Sequence, residues 1–309
     1  FTIVPKTLSA EVLEFTPNTP ITKKYDGTTT CTTAKVQIKD SAKADPNDEV
    51  PTVTGTYAYN SPNVKDACKV TFTSKETKTS NYILPEGLIV EQHNASITKA
   101  NQDPITITST SATYGTDLTL TVDGGSGNGA LTYTVENGTG AATIIDGILH
   151  PDKVGEVTVQ ATKSGDDNYY DVQSARTTIT IAKGTYPGTV SKTVNLIKGR
   201  SDAQTGTLTA ADFFPEGAPE GAVISVLSES ENMTMLDGGL KLDSTNQLTY
   251  TSGTYIVNAD DQKCTVTISS DNYHDITATL IFHLTDKETV TISGLTYTEK
   301  TYDGSAIQL

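Results

Sequence analysis

Val157-Thr158-Val159-Gln160-Ala161 alternates apolar and polar side chains without a slip. Successive side chains of an extended chain point to opposite faces, so this run can bury one face and wet the other. The pattern continues on both sides. Leu118, Leu120 and Val122 alternate with Thr119 and Thr121, Leu131, Tyr133 and Val135 with Thr132 and Thr134, and Ile179 and Ile181 with Thr178 and Thr180. Between them lie the turn-forming clusters Asp123-Gly124-Gly125-Ser126-Gly127-Asn128-Gly129 and Asn137-Gly138, where glycine and asparagine tolerate the backbone of tight turns. Several short strands punctuated by turns within residues 101–183 predict a β-sandwich.

Further out, short motifs recur. Ser80-Asn81-Tyr82, Asp167-Asn168-Tyr169 and Asp271-Asn272-Tyr273 each stand just before the last apolar alternation of a block. Lys24-Tyr25-Asp26-Gly27-Thr28 returns as Thr301-Tyr302-Asp303-Gly304-Ser305. Recurrence at this distance is the signature of a modular array. The expected architecture is all-β: tandem immunoglobulin-like sandwiches in an elongated array, with units over 1–100, 101–183 and 184–287 and a truncated fourth over 288–309. Residues 1–4 read as the closing strand of a preceding unit. In the first unit, strands are expected over 8–12, 35–39, 53–59 and 67–73, where Cys68, Val70 and Phe72 share a face. In the third, residues 207–214 suit a single helical turn capped by Thr209. Strands follow at 223–227, 248–257, 264–269 and 278–284, with Cys264 as a buried thiol.

The totals agree. Of 309 residues, 35% are hydrophobic and 19% charged; Thr, Ser, Asn and Gly fill the gap, which suits half-buried strands and turns. A net charge of -15 with pI near 4.6 argues against nucleic acid, which is held by Lys and Arg on phosphates. Three cysteines do not make a disulfide scaffold. No apolar run reaches the roughly 20 residues needed to span a bilayer.

With these residues in view, the chain resembles bacterial surface proteins built from YDG and MBG-type immunoglobulin-like repeats. The first unit carries Lys24-Tyr25-Asp26-Gly27-Thr28-Thr29, Asn63-Val64, Ser80-Asn81-Tyr82 and Ile97-Thr98-Lys99-Ala100. The second is similar to an MBG-type repeat across Thr113-Tyr114-Gly115, Val154-Gly155-Glu156-Val157-Thr158-Val159, Gly165-Asp166-Asp167-Asn168-Tyr169 and Thr180-Ile181-Ala182-Lys183. The third keeps Tyr186-Pro187-Gly188 and Asp271-Asn272-Tyr273 and diverges elsewhere. The resemblance implies an exported or wall-attached array without catalytic residues: a stalk, spacer or adhesin segment, extracellular and monomeric, whose partners are neighbouring repeats and host or cell-wall glycans or proteins.

Candidate site residues are accordingly structural. Tyr25, Asp26 and Gly27 form a turn, in which Asp bonds its own backbone and Gly accepts positive φ. The pairs Asn81-Tyr82, Asn168-Tyr169 and Asn272-Tyr273 each pin a loop to a final strand, the ring buried and the hydroxyl bonded to nearby backbone, as a tyrosine corner does. Cys31 and Cys68 share a unit and could form a disulfide if their strands meet. His93, His150, His274 and His283 have no metal-ligand spacing, and Ser126 lacks the setting of a nucleophile elbow. Carboxylates at Asp45, Asp48 and Glu49, at Asp166 and Asp167, and at Asp260 and Asp261 read first as solvated loops and second as calcium ligands, the one cofactor the sequence leaves open. A competing reading is a carbohydrate-binding array with Tyr57 and Tyr59 as a sugar platform. A third is a protein-binding adhesin using the loop 123–129.

Overall fold

The computed structural model describes residues 4–16, 19–228, 233–257 and 259–286. Most of the expected leading strand and all of the fourth unit, including Tyr302-Asp303-Gly304, lie outside the described residues. The chain divides into two compact units, residues 1–182 and residues from Lys183 on. The first unit holds two hydrophobic cores, one spanning Leu8 to Ile97 and one spanning Ile105 to Ile181. The second unit holds a third core, from Val190 to Leu284. Each core fills one sandwich, so the chain is a tandem series of immunoglobulin-like modules.

The second module shows how alternation becomes a core. Gly155–Lys163 lies between Leu131–Asn137 and Thr177–Ala182, antiparallel to both. Val157, Val159 and Ala161 are at most 1% exposed. The facing sheet is Leu118–Thr119, Ile148–Lys153 and Ala141–Ile145, with Leu149 fully buried against the first. The third module repeats the plan, setting Val190–Ile197, Ile276–Thr285, Gln262–Ser269 and Val223–Leu227 against Thr205–Leu208, Leu248–Ser252 and Leu236–Leu242. In the first module the sheets are shorter. Gly55–Tyr59, Val70–Ser74 and Ile89–Gln92 make one; Lys6–Thr7, Tyr82–Leu84 and Thr77–Lys78 make another; Leu13–Phe15 pairs with Val36–Ile38.

One topological rule holds in all three modules: an early strand pairs in parallel with the last. These pairs are Ile21–Lys24 with Ala95–Thr98, Ser111–Thr113 with Thr177–Ala182, and Val190–Ile197 with Ile276–Thr285.

Several expectations change. The strand expected at 8–12 is interrupted by a 3-10 turn at Ala10–Val12, which lets Leu8 and Leu13 both reach the core. The run 118–122 is broken at the buried Leu120, so Leu118–Thr119 pairs with Ile148–Lys153 and Val122–Gly124 with Ile105–Ile107. Strand Val70–Ser74 begins after Cys68. Cys68 is exposed because its backbone N–H and that of Lys69 are both drawn to the Asn60 side-chain oxygen. The Cys31–Cys68 disulfide is therefore not formed: Cys31 is a buried free thiol and Cys68 an exposed one. The helical turn is present at Ala210–Phe213, where the Asp212 carboxylate accepts the N–H and the hydroxyl of Thr209. Cys264 is buried, and burial lifts its thiol pKa to about 11.

Candidate functional site

Within the first unit, two of the recurring motifs, the Tyr25-Asp26-Gly27 turn and the Asn168-Tyr169 corner, meet where the first module hands the chain to the second. Lys23 and Asp26 shape the first half of the joint. Asp26 Oδ1 accepts the N–H of Thr28 at 2.9 Å, its hydroxyl at 2.9 Å and the Lys23 ammonium at 2.7 Å. Gly27 turns the chain at φ +75°, a conformation that a side chain would strain. These bonds, led by the one from Lys23, hold the Asp26 carboxyl down at about 2. The turn fixes Tyr25, whose N–H donates to the Thr98 carbonyl at the end of the last strand.

The second half is the Asn-Tyr corner. In every module the chain coming in from the preceding residues is bonded to the asparagine carbonyl: Lys6 N–H to Asn81, Ala100 N–H to Asn168 and Gly184 N–H to Asn272, at 2.8, 3.0 and 3.0 Å. The tyrosine N–H is in turn capped by a side-chain oxygen three residues earlier, from Thr79, Asp166 and Ser270. In the second and third modules a lysine of the incoming chain also bonds the carbonyl of that capping residue, Lys99 to Asp166 at 2.5 Å and Lys183 to Ser270 at 2.6 Å. Backbone N–H groups of Asn168 and Asn128 hold the Asp166 carboxyl below its ordinary range, with Lys99 adding to the effect.

Within the first unit the two halves touch. The Tyr25 and Tyr169 rings meet edge to face, 5.2 Å between centroids and 79° apart. Asn168 reaches back across the joint, its Oδ1 accepting the Val64 N–H at 3.0 Å and its Nδ2 donating to Asn63 Oδ1 at 3.3 Å. Ala100 is bonded on both sides, since Tyr170 N–H donates to its carbonyl at 2.9 Å. Buried Gln102 then ties the incoming chain to the loops around it, donating to the carbonyls of Ser164 and Tyr170 and accepting the Ser126 N–H.

The three tyrosines play different parts. Tyr82 is buried, 1% exposed, and its hydroxyl donates to Asp48 and accepts from Ala44 N–H, both at 2.7 Å. Tyr169 and Tyr273 are only half-buried and pack against other tyrosines, Tyr169 against Tyr25 and Tyr273 against Tyr186. Sequence reasoning missed Lys23 and Gln102, and it read Asp166 as a solvated or calcium-binding carboxylate and Lys99 as a motif residue without the bond that joins them. For Lys23 a signal existed, because Lys300 stands in the same place before Tyr302.

The other candidates are dispersed. The Tyr57 ring packs on Phe15 and Phe72 and its hydroxyl accepts the Val36 N–H, while Tyr59 is 3% exposed, so neither forms a sugar platform. Burial pushes the Tyr59 hydroxyl up to about 12. His150 and His283 pair with Asp117 and Asp261, and His93 lies beside Glu91. Ser126 donates to Asp103. Asp48 accepts from Tyr82 and Asn81, and Asp166 from three backbone N–H groups. Among the described residues no three metal-ligating side chains converge, and no helix is long and apolar enough to cross a membrane.

No curated protein matches the chain. Among solved structures, the human desmocollin-1 ectodomain is similar over 89% of this chain, at 12% identity and a TM-score of 0.29, and the chain spans 61% of its length. A mouse cadherin-23 fragment comprising EC22–24 is similar over 89% of this chain and 99% of its own, at 15% identity and a TM-score of 0.31. An endo-fucoidan hydrolase of glycoside hydrolase family 107 is similar over 79% of this chain and 40% of its own, at 15% identity and a TM-score of 0.20. Residues 5–89, which include the Tyr25-Asp26-Gly27 turn and the Asn81-Tyr82 corner, match the YDG domain family.

Proposed function

We propose that this chain is a non-catalytic structural segment, a spacer or adhesin repeat, of a bacterial surface or secreted protein, with a YDG-type first module and an MBG-type second. Its partners are then neighbouring repeats of the same chain, with host or cell-wall glycans or proteins as targets of the larger molecule. The observation that carries the reading is the parallel pairing of an early strand with the last strand in each module. Tension along the chain would load such a pair lengthwise, straining its hydrogen bonds together, whereas an antiparallel hairpin pulled from its two ends unzips one bond at a time. A joint in which incoming and outgoing residues are all bonded suits the same purpose, since it gives force no slack segment to extend first. The match of residues 5–89 to the YDG family and the all-β tandem architecture support the assignment.

Single-molecule pulling of the full chain from its ends tests it. Discrete unfolding events are expected, with the third module, clamped by the eight-residue pair of Val190–Ile197 on Ile276–Thr285, resisting more than the second, whose pair is Ser111–Thr113 on Thr180–Ala182. A smooth extension at low force would refute a mechanical role.

A further inference from the structure

The Lys23 side chain is 13% exposed and ends in a ring of oxygens. Its ammonium lies 2.7 Å from Asp26 Oδ1, 2.7 Å from the Thr28 carbonyl, 3.0 Å from the Thr30 carbonyl and 3.2 Å from the Thr28 hydroxyl. The ammonium also lies over the Tyr59 ring, 5.4 Å from its centroid. An ammonium has three protons to donate, so four oxygens and a π-face offer it more acceptors than it can use at once. The cage is built by the turn itself. Asp26 gathers Thr28 by two bonds, Gly27 reverses the chain, and Thr30 is fixed by its bridge to Ala58. Carboxylate, carbonyl and hydroxyl oxygens converging on one point are the donor set of a cation receptor, and an aromatic face adds attraction for an ammonium.

We propose that the Tyr-Asp-Gly turn is a binding site for a primary ammonium, with the Lys23 side chain as its resident ligand. The site's ligand class is R–NH3+, because the occupant it holds is an ammonium that donates N–H groups to those oxygens. A quaternary ammonium has none. The second copy of the motif in the sequence, Lys300-Thr301-Tyr302-Asp303-Gly304-Ser305, keeps every side chain the turn contributes: the lysine, the aspartate and the hydroxyl. The site stands whether or not the chain carries tension.

Chemical rescue in the full chain tests this. Lys23→Ala should lower the first melting transition by roughly 5–10 °C, as loss of charge-assisted hydrogen bonds in a small module would. Methylammonium chloride should restore part of that loss, whereas tetramethylammonium chloride at equal ionic strength should not. The unsubstituted chain should respond alike to both salts. An unchanged melt, or equal response of Lys23→Ala to the two salts, overturns the proposal. Should that variant not fold, the unsubstituted chain decides by nitrogen-15 NMR. A caged Lys23 ammonium exchanges its protons slowly and gives a ζ-nitrogen signal at neutral pH, and loss of that signal to fast exchange overturns the site.

Discussion

Tyr169 and Tyr25 belong to different modules and yet form one aromatic pair. Edge-to-face pairs contribute about 0.5–1.5 kcal/mol beyond the area they bury. A double-mutant cycle of Tyr25→Ala and Tyr169→Ala, read by denaturant unfolding, should return a coupling of that order; additive losses would mean the rings stabilise their own modules separately. Asp26 supplies a pH handle. Its carboxyl sits at about 2 in the folded chain against 3.8 ordinarily, so the stability it contributes is present above pH 4 and lost as pH falls from about 4 towards 2. NMR titration of Asp26 should find a midpoint near 2, and Asp26→Asn should flatten the acid loss in that window. An ordinary midpoint would show that Lys23 does not hold the carboxylate.

Strands explain why so much was legible in the chain and why some was not. Where a strand buries one complete face, as Gly155–Lys163 and Gln262–Ser269 do, alternation is enforced at each step and the buried residues can be picked out directly. Val190–Ile197 escaped notice because Lys192 stands where an apolar residue would continue the pattern between Val190 and Val194. Leu118 to Val122 misled for the opposite reason: the alternation is unbroken, but the backbone crosses between sheets at Leu120. The corners were half-visible. Asn and Tyr recur as letters, while the capping oxygen is Thr, Asp or Ser in turn and the incoming residue is Lys, Ala or Gly, because only a backbone N–H is needed there. Packing sets two further expectations. Leu149→Ala should cost about 2–5 kcal/mol, since Leu149 is fully buried between the sheets of the second module. Gly129→Ala would bring a Cβ within 1.8 Å of the Ser164 carbonyl oxygen, and a backbone clash of that size should destabilise the second module by about 2 kcal/mol or more. A wild-type melt for either variant would contradict the packing described.

Cooperativity is the property of the molecule that the joint governs. The first two modules have separate cores but form one compact unit. They should therefore melt in one transition in the full chain. Asn168→Ala removes both side-chain bonds that reach back to Asn63 and Val64 while leaving each core intact. Calorimetry should then show that transition splitting in two; a single transition at the original temperature would place the coupling elsewhere. The joint also constrains how such a chain can grow. Thr98 is committed to Tyr25, Lys99 to Asp166, and Ala100 to both Asn168 and Tyr170. A duplication that copied this tract out of phase, or inserted one codon into it, would strand donors on one side and acceptors on the other. Such a chain is then free to lengthen only in whole-module increments, with the bonding pattern of the seam copied even where its residues change, as from Thr98-Lys99-Ala100 to Ala182-Lys183-Gly184.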